Sequence, residues 1–323
     1  MNIRKLAKLT GYSVSTVSKA FSGKKDISEY ARSVIFEKAK ELGCYDKYAK
    51  DKYDKKIIAV LCPETQSQFY SKILSTLNVI IEEYGGTMAT SLTDFSVEKA
   101  RDLIKLYSGN KRVDGIIYFG TDPTLTSISL PLVAFTALPS SYNDTVHLDV
   151  SQGINQAVQL LKQYGHNRIA FLGESKTKIK ELAFVNALNK NRLVVDETLI
   201  IEDNENRFEQ AGFEGMNKLL KLKNRPTAVF SAYDNIALGA IQAIEKQGLK
   251  VPEDISVIGC DDMGIASHYK IGLSTINLNI NEGCKIAVEM LFNKINNPFY
   301  KTIKNVNIVS SLKDRKTIGP AKQ

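Results

Sequence analysis

Hydrophobic positions follow two different rules along the chain. Over residues 1–43 they recur at helical spacing. Ile3, Leu6 and Ala7 share one face, Val17 and Phe21 stand four apart, and Ala31, Val34, Ile35, Lys38, Ala39 and Leu42 form a third stripe. Asn2, Ser13 and Ser28 stand where N-caps belong, and Gly11 and Gly43 where helices end. The pattern predicts three short helices. From Ile57 it changes to unbroken apolar runs, at 57–62 and 115–120, which suit strands buried on both faces of a parallel sheet. Between them lie two helices, one carrying Ile73, Leu77, Ile80 and Ile81, the other around 97–107. Strands near 132–136 and 146–148 complete a first βα half. A second half begins near Val150, with a helix through Ile154, Ala157, Val158 and Leu161 that stops at Gly165. Strands then recur at 169–172, 199–201, 228–231 and 255–260. This alternation predicts an α/β core of two doubly wound parallel-sheet lobes behind an all-α head.

The turn between the first two helices is short and contains Gly11, so the pair forms a helix-turn-helix suited to the major groove of DNA. Val14, Ser15, Ser18 and Lys19 are left on the outer surface of the second helix. Charge supports this reading. Residues 1–56 carry 14 Lys and Arg against 7 Asp and Glu, so they hold nearly all of the net charge of +8. Cations concentrated beside a helix-turn-helix serve phosphate neutralisation and counterion release. Residues 46–56 form a charged connector without apolar periodicity, either a linker or a short helix that forms only on binding. The expected domains are therefore 1–45, a connector at 46–56, and a core at 57–323.

The remaining composition mostly excludes. No apolar run approaches the roughly 20 residues of a membrane span. No apolar leader follows Met1, so the expected location is cytoplasmic. Cys44, Cys62, Cys260 and Cys284 form no CxxC, and His147, His166 and His268 are scattered, so no metal site or other cofactor is expected. No glycine-rich phosphate loop and no nucleophile elbow appears, which argues against an enzyme. In doubly wound sheets ligands bind beyond the carboxyl ends of the strands. The loops to watch are 63–70, 120–122, 173–180, 232–235 and 261–267.

The stretch Leu6-Ala7-Lys8-Leu9-Thr10-Gly11-Tyr12-Ser13-Val14-Ser15-Thr16-Val17-Ser18-Lys19 resembles the helix-turn-helix of the lactose/galactose repressor (LacI/GalR) family, V-A-x-x-A-G-V-S-x-x-T-V-S-R. Gly165-His166-Asn167-Arg168-Ile169-Ala170-Phe171, Asp234-Asn235-Ile236-Ala237-Leu238-Gly239-Ala240 and the run from Val251 to Asp262 match in the same order, so the resemblance spans nearly the whole chain. It implies a DNA-binding head on a core like the periplasmic sugar-binding proteins. It also implies a homodimer reading pseudo-palindromic operator DNA, and a small-molecule effector between the lobes. By the resemblance, Val14, Ser15 and Lys19 read bases: lysine donates to guanine and valine packs a thymine methyl. Thr16 and Ser18 either hold phosphates or serve as ordinary helix caps.

For the effector the resemblance points to Phe69 and Tyr70 from the first lobe and Asp261 after the strand at 255–260, with Asp149 at the crossing between lobes a weaker candidate. Two positions depart from the family. Lys180 stands where an arginine is usual, keeping the charge but losing the bidentate fork. Tyr233 stands where an asparagine is common, and either stacks on a sugar face or packs against its own lobe. An Asp, a Lys and several aromatic rings suit a sugar or sugar derivative, and the lysine leaves an acidic or phosphorylated sugar open. The connector departs too: Lys52 occupies the place of the leucine that family members wedge into the minor groove, so weaker or different DNA bending is expected. A transport-type sugar-binding protein is the competing class, opposed by the helix-turn-helix beginning at residue 2.

Overall fold

The computed structural model describes residues 2–22, 26–48, 55–110, 113–120, 128, 130–136, 139–264, 266, 272–297 and 299–322, with only the backbone of 46, 47 and 110. Lys52, and the loop residues expected at 121–122, 265 and 267, lie outside them. The chain divides into two compact units, Met1–Lys56 and Ile57–Gln323.

In the first unit α1 (Ile3–Thr10) starts where the Asn2 side chain accepts from the Lys5 amide, and it ends at Gly11, whose φ of 73° costs a glycine little. Ser13 caps α2 (Val14–Phe21) and Ser28 caps α3 (Glu29–Glu41) in the same way. Leu6, Ala7, Val17, Ala20, Phe21, Ile35 and Ala39 form the buried core, as the helical spacing predicts. A fourth helix, α4 (Tyr45–Tyr48), was not legible from periodicity. Its two tyrosines close an aromatic cluster: Tyr48 lies 5.6 Å from Phe21, and Tyr45 meets Phe36 edge-on at 5.2 Å. The charged connector thus begins with residues that pack into the head, because a tyrosine ring adds apolar surface even among lysines.

The second unit holds two six-stranded sheets of equivalent order. The first lobe contains β1 (Lys56–Cys62), β2 (Gly86–Leu92), β3 (Gly115–Phe119), β4 (Leu132–Phe135) and β5 (Asp144–Asp149), with α5 (Gln68–Glu83) and α6 (Val97–Asn110). The second contains α7 (Ser151–Gln163), β6 (Ile169–Glu174), α8 (Lys178–Lys190), β7 (Ile200–Asp203), α9 (Phe208–Leu220), β8 (Ala228–Ser231), α10 (Asp234–Lys246), β9 (Ser256–Cys260) and β10 (Ser274–Asn277). Three last elements follow: α11 (Ile280–Asn296), β11 (Asn305–Val309) and β12 (Ser311–Lys313). The sheet orders are β11-β5-β4-β3-β1-β2 and β12-β10-β9-β8-β6-β7. Pairings from β11 through β1 and from β10 through β7 are parallel, and β12 runs antiparallel to β10.

The division into two consecutive halves needs correction. After β10 the chain returns to the first lobe, where α11 packs on α5 and on β3, β4 and β5, and β11 extends the sheet beside β5; β12 then goes back to the second. Three strands thread between the lobes, and long-range pairing of this kind leaves no periodic trace. The reading also omitted β2. That edge strand, Gly-Thr-Met-Ala-Thr-Ser-Leu, is half-exposed and so carries no apolar run. His166 is a core histidine. Its ring meets the Thr227 hydroxyl and the Gly319 carbonyl, both at 2.9 Å, and ties the C-terminal segment to the second lobe.

Candidate functional site

In the head, the exposed face of α2 presents Val14, Ser15 and Ser18 to solvent. Lys19 is partly covered and its ammonium sits 2.6 Å from the Asp26 carboxylate. Thr16 is engaged locally: its amide donates to the Ser13 side chain and the two hydroxyls are 2.8 Å apart. The Arg32 guanidinium donates to the Ala20 carbonyl at 2.7 Å, fixing the end of α2 against α3. The helix is therefore held from both ends while its outer face stays open.

In the core, the strand ends of both lobes converge on a cleft. The first lobe contributes a chamber of about 400 Å³, walled by Phe69, Tyr70, Phe95, Phe119 and Phe135, with His147 among its few polar groups. Phe119 and Phe135 stack at 4.6 Å and 6°. Lys176 and Ile179 close it from the second lobe. Such a chamber is apolar, with polar groups few enough to orient a ligand.

Opposite Tyr70 the second lobe presents a cluster made by three separate segments. Lys180, in the first turn of α8, places its ammonium 2.6 Å from Asp261, 2.8 Å from the Ala232 carbonyl and 4.6 Å above the Tyr233 ring. Asp261 follows β9 with φ 105°, a backbone strain uncommon outside glycine. Burial is the largest influence on Lys180 and works against its charge, but Asp261, Cys260 and Tyr233 together outweigh it and hold the ammonium above its ordinary range. Burial likewise pushes the phenols of Tyr70 and Tyr233 up, with Asp261 adding to the shift in both. Lys180 is thus not a free cation; its charge is matched inside the protein.

Behind the cluster, Asp234 at the start of α10 accepts from the Met263 amide at 2.8 Å and from the Thr275 hydroxyl. Burial, reinforced by Asp261, raises its carboxyl from 3.8 to about 8. The folded state therefore binds this proton more tightly than the unfolded chain. Its stabilising contribution is complete below pH 3.8 and is lost as pH rises through about 8. Asp234→Asn, whose amide keeps one acceptor for Met263 and offers a donor to Thr275, is expected to flatten the decline in stability between those values. Urea unfolding of both proteins across that range checks it; parallel pH profiles would contradict it.

Of the residues expected at the effector site, Phe69 and Tyr70 line the chamber, and Lys180, Tyr233 and Asp261 come together beside it. Asp149 stands apart. It is absent from the chamber wall and accepts from the Ser151 amide at 2.9 Å at the first crossing between lobes. Burial opposes its charge, but the Ser151 and Asn307 hydrogen bonds and nearby His147 hold the carboxyl below its ordinary range.

Residues 158–318 match the model of a periplasmic binding protein-like domain. The chain is 30% identical to the transcriptional repressor PurR of Pasteurella multocida, over 91% of this chain and 92% of that protein. The chain belongs to the LacI family of transcriptional regulators. It is also 29% identical to the ribose operon repressor of Haemophilus influenzae, with 92% of each chain covered. Among solved structures, the lac repressor dimer bound to operator and the anti-inducer ONPF shares the fold, with a TM-score of 0.72 and 22% identity over 98% of each chain.

Within this LacI-family core, four cleft residues escaped the sequence reading: Glu64, Glu174, Arg207 and Phe208. Arg207 is the N-cap of α9, and its guanidinium meets Glu64 at 2.7 and 3.0 Å and Glu174 at 2.9 Å. Phe208 follows at φ 53°, under the guanidinium and 6.2 Å from Tyr233. The available signal was position alone: Glu64 follows the strand at 57–62 and Glu174 ends β6, where ligands of such sheets lie.

Proposed function

We propose that this chain is a sequence-specific transcriptional repressor. Its α2 helix enters the major groove of a pseudo-palindromic operator, and its operator affinity is set by a sugar or sugar derivative bound between the core lobes. The observation that carries the reading is the pairing, in one chain, of an open, capped recognition helix with an aromatic-walled interlobe chamber. Val14, Ser15 and Lys19 read bases, with Thr16 and Ser18 toward phosphates. Phe69, Tyr70, Tyr233, Lys180 and Asp261 surround the effector, and Asp149 orders the crossing beside it. Aromatic rings pack the apolar faces of sugars and carboxylates accept their hydroxyls, which suits a hydroxylated ligand. Lys180 and Arg207 are already matched by carboxylates, whereas Lys176 at the chamber edge lies over the Phe95 ring, so the ligand class includes acidic or phosphorylated sugars as well as uncharged ones. The relatives named above are a repressor and a ribose operon repressor, and the lac repressor structure is an operator-bound dimer; these support a homodimeric, non-enzymatic protein working in the cytoplasm. No helix among the described residues is long and apolar enough to cross a membrane. The division of labour is 1–45 for DNA, 46–56 as connector and 57–323 for effector and dimer.

Selection from a random duplex library is expected to enrich a pseudo-palindrome, and anisotropy titration its binding. Lys19→Ala should weaken that binding by about 10- to 100-fold, the loss typical of one base-reading side chain, and relax one base pair per half-site. Failure to enrich any sequence would overturn the assignment. So would unchanged binding by Lys19→Ala, for that residue. A melting-temperature screen of sugars identifies the effector, because a ligand bound only by the folded state raises the midpoint.

A further inference from the structure

One guanidinium joins the two lobes across the cleft. Arg207 belongs to the second lobe, where its Nε donates to Glu174 at 2.9 Å, and the Phe208 amide adds a contact to the same carboxylate at 3.3 Å. Its two terminal nitrogens donate in a fork to Glu64, in the loop after β1 of the first lobe, at 2.7 and 3.0 Å. The two glutamates are not equivalent. Glu174 is fully buried and keeps its partner within one rigid lobe, so its pairing is structural. Glu64 lies on the opposite lobe and retains 13% exposure, so lobe opening would return it to water with its charge solvated. The bridge combines a fixed half and a releasable half on one side chain.

We infer that Glu64–Arg207 is a latch that holds the lobes of this protein together, with Glu64 as its releasable arm and Arg207, anchored by Glu174, as its fixed one. The geometry suits the task. A bidentate arginine–carboxylate pair is among the strongest and most directional of charge-assisted contacts. Partial burial shields it from salt more than a surface pair. A second described contact across the cleft is looser: the Lys176 ammonium stands 5.0 Å from the Phe95 ring. The consequence for regulation rests on the reading above. A latch that biases the closed arrangement sets the baseline from which a ligand shifts operator affinity, since a ligand acts only through its differential affinity for the two states. The neighbouring Phe208, strained at φ 53° beneath the guanidinium, packs toward Tyr233 and so links the latch to the Lys180–Asp261 cluster beside the chamber.

The test measures lobe separation without any ligand or DNA, by small-angle X-ray scattering of the purified full-length chain. Glu64→Gln removes the charge but not the shape, and Glu64→Asp keeps the charge but withdraws it by one methylene, beyond fork geometry. Both are expected to raise the radius of gyration above wild type, with the melting temperature lowered by no more than a few degrees. Lys178→Gln, which breaks an ion pair internal to the second lobe, should leave the radius unchanged. Radii equal to wild type in both Glu64 variants would overturn the latch. If Glu64→Gln unfolds, the Glu64→Asp result decides. Operator titration of the same proteins is a separate readout. A fall or rise in affinity of threefold or more accompanying the expansion ties the latch to regulation. Expansion with unchanged affinity keeps the latch and removes its regulatory role, whereas absence of operator binding by wild type strikes the repressor reading instead.

Discussion

Lys180→Ala is expected to destabilise the core by about 3–5 kcal/mol, the cost of leaving a buried charge without its partner. Asp261 is 4% exposed, and the Lys180 ammonium at 2.6 Å is its one described charged partner within hydrogen-bond reach. Removing that ammonium strands the carboxylate, because the Asp261 backbone at φ 105° sits in a loop that cannot easily turn the side chain to water. The Ala232 carbonyl loses its donor as well. The loss belongs to folding, and any accompanying loss of effector response would be a symptom of it. Pairing Lys180→Met with Asp261→Asn is expected to recover most of the stability, since both charges go together and asparagine tolerates a positive φ. Urea denaturation of wild type, single and double variants measures both effects. A single variant within 1 kcal/mol of wild type would show the pair to be open to solvent. The double variant, once folded, is the protein in which to ask whether these two side chains bind the effector.

Gly212→Ala is the second large effect, and its sign runs against helix propensity. Inside a helix alanine normally gains about 1 kcal/mol over glycine. Here a Cβ on Gly212 would stand 1.9 Å from the Ile236 carbonyl oxygen. The contact is reciprocal, for a Cβ on Gly239 would stand 1.9 Å from the Glu209 carbonyl and 2.9 Å from the Phe213 amide. Each obstruction is backbone, so no side chain can rotate away and α9 and α10 must separate. Overpacking of this kind costs typically 1–3 kcal/mol and occasionally more, and a backbone-to-backbone clash belongs at the upper end. Because α9 begins at Arg207 and Phe208 and α10 at Tyr233 and Asp234, the separation also displaces cleft residues. A melting temperature lowered by several degrees, with weakened effector response in whatever protein remains folded, is the expected result. A melting point at or above wild type would mean the helices are further apart than described.

Much of the head was legible because its determinants are local. Caps, helix-ending glycines and the apolar stripes all act within a turn or two of chain, and Leu6, Val17 and Ile35 are buried as their spacing requires. The α/β character of the core was legible for the same reason: runs such as 57–62 are apolar at every position only if both faces are covered. The cleft was legible in part. Phe69, Tyr70, Lys180, Tyr233 and Asp261 were reached through resemblance, and the loops that carry them through the rule for strand ends. Glu64, Glu174 and Arg207 were not, because a charged residue in a loop looks the same whether it faces solvent or another lobe.

The amino-acid order by itself determined the head's first three helices, most buried strands of the core, the helix-turn-helix and the concentration of positive charge in the first 56 residues, since each depends on neighbours in sequence. Tertiary structure alone decided which lobe owns α11, β11 and β12, and that Tyr48 belongs to the head's core. It also decided that Lys180 is matched by Asp261, 81 positions away, and Arg207 by Glu64, 143 positions away. Those pairings arise from burial. A charge taken out of water must find its partner wherever the packed chain brings one, and sequence separation carries no information about that place.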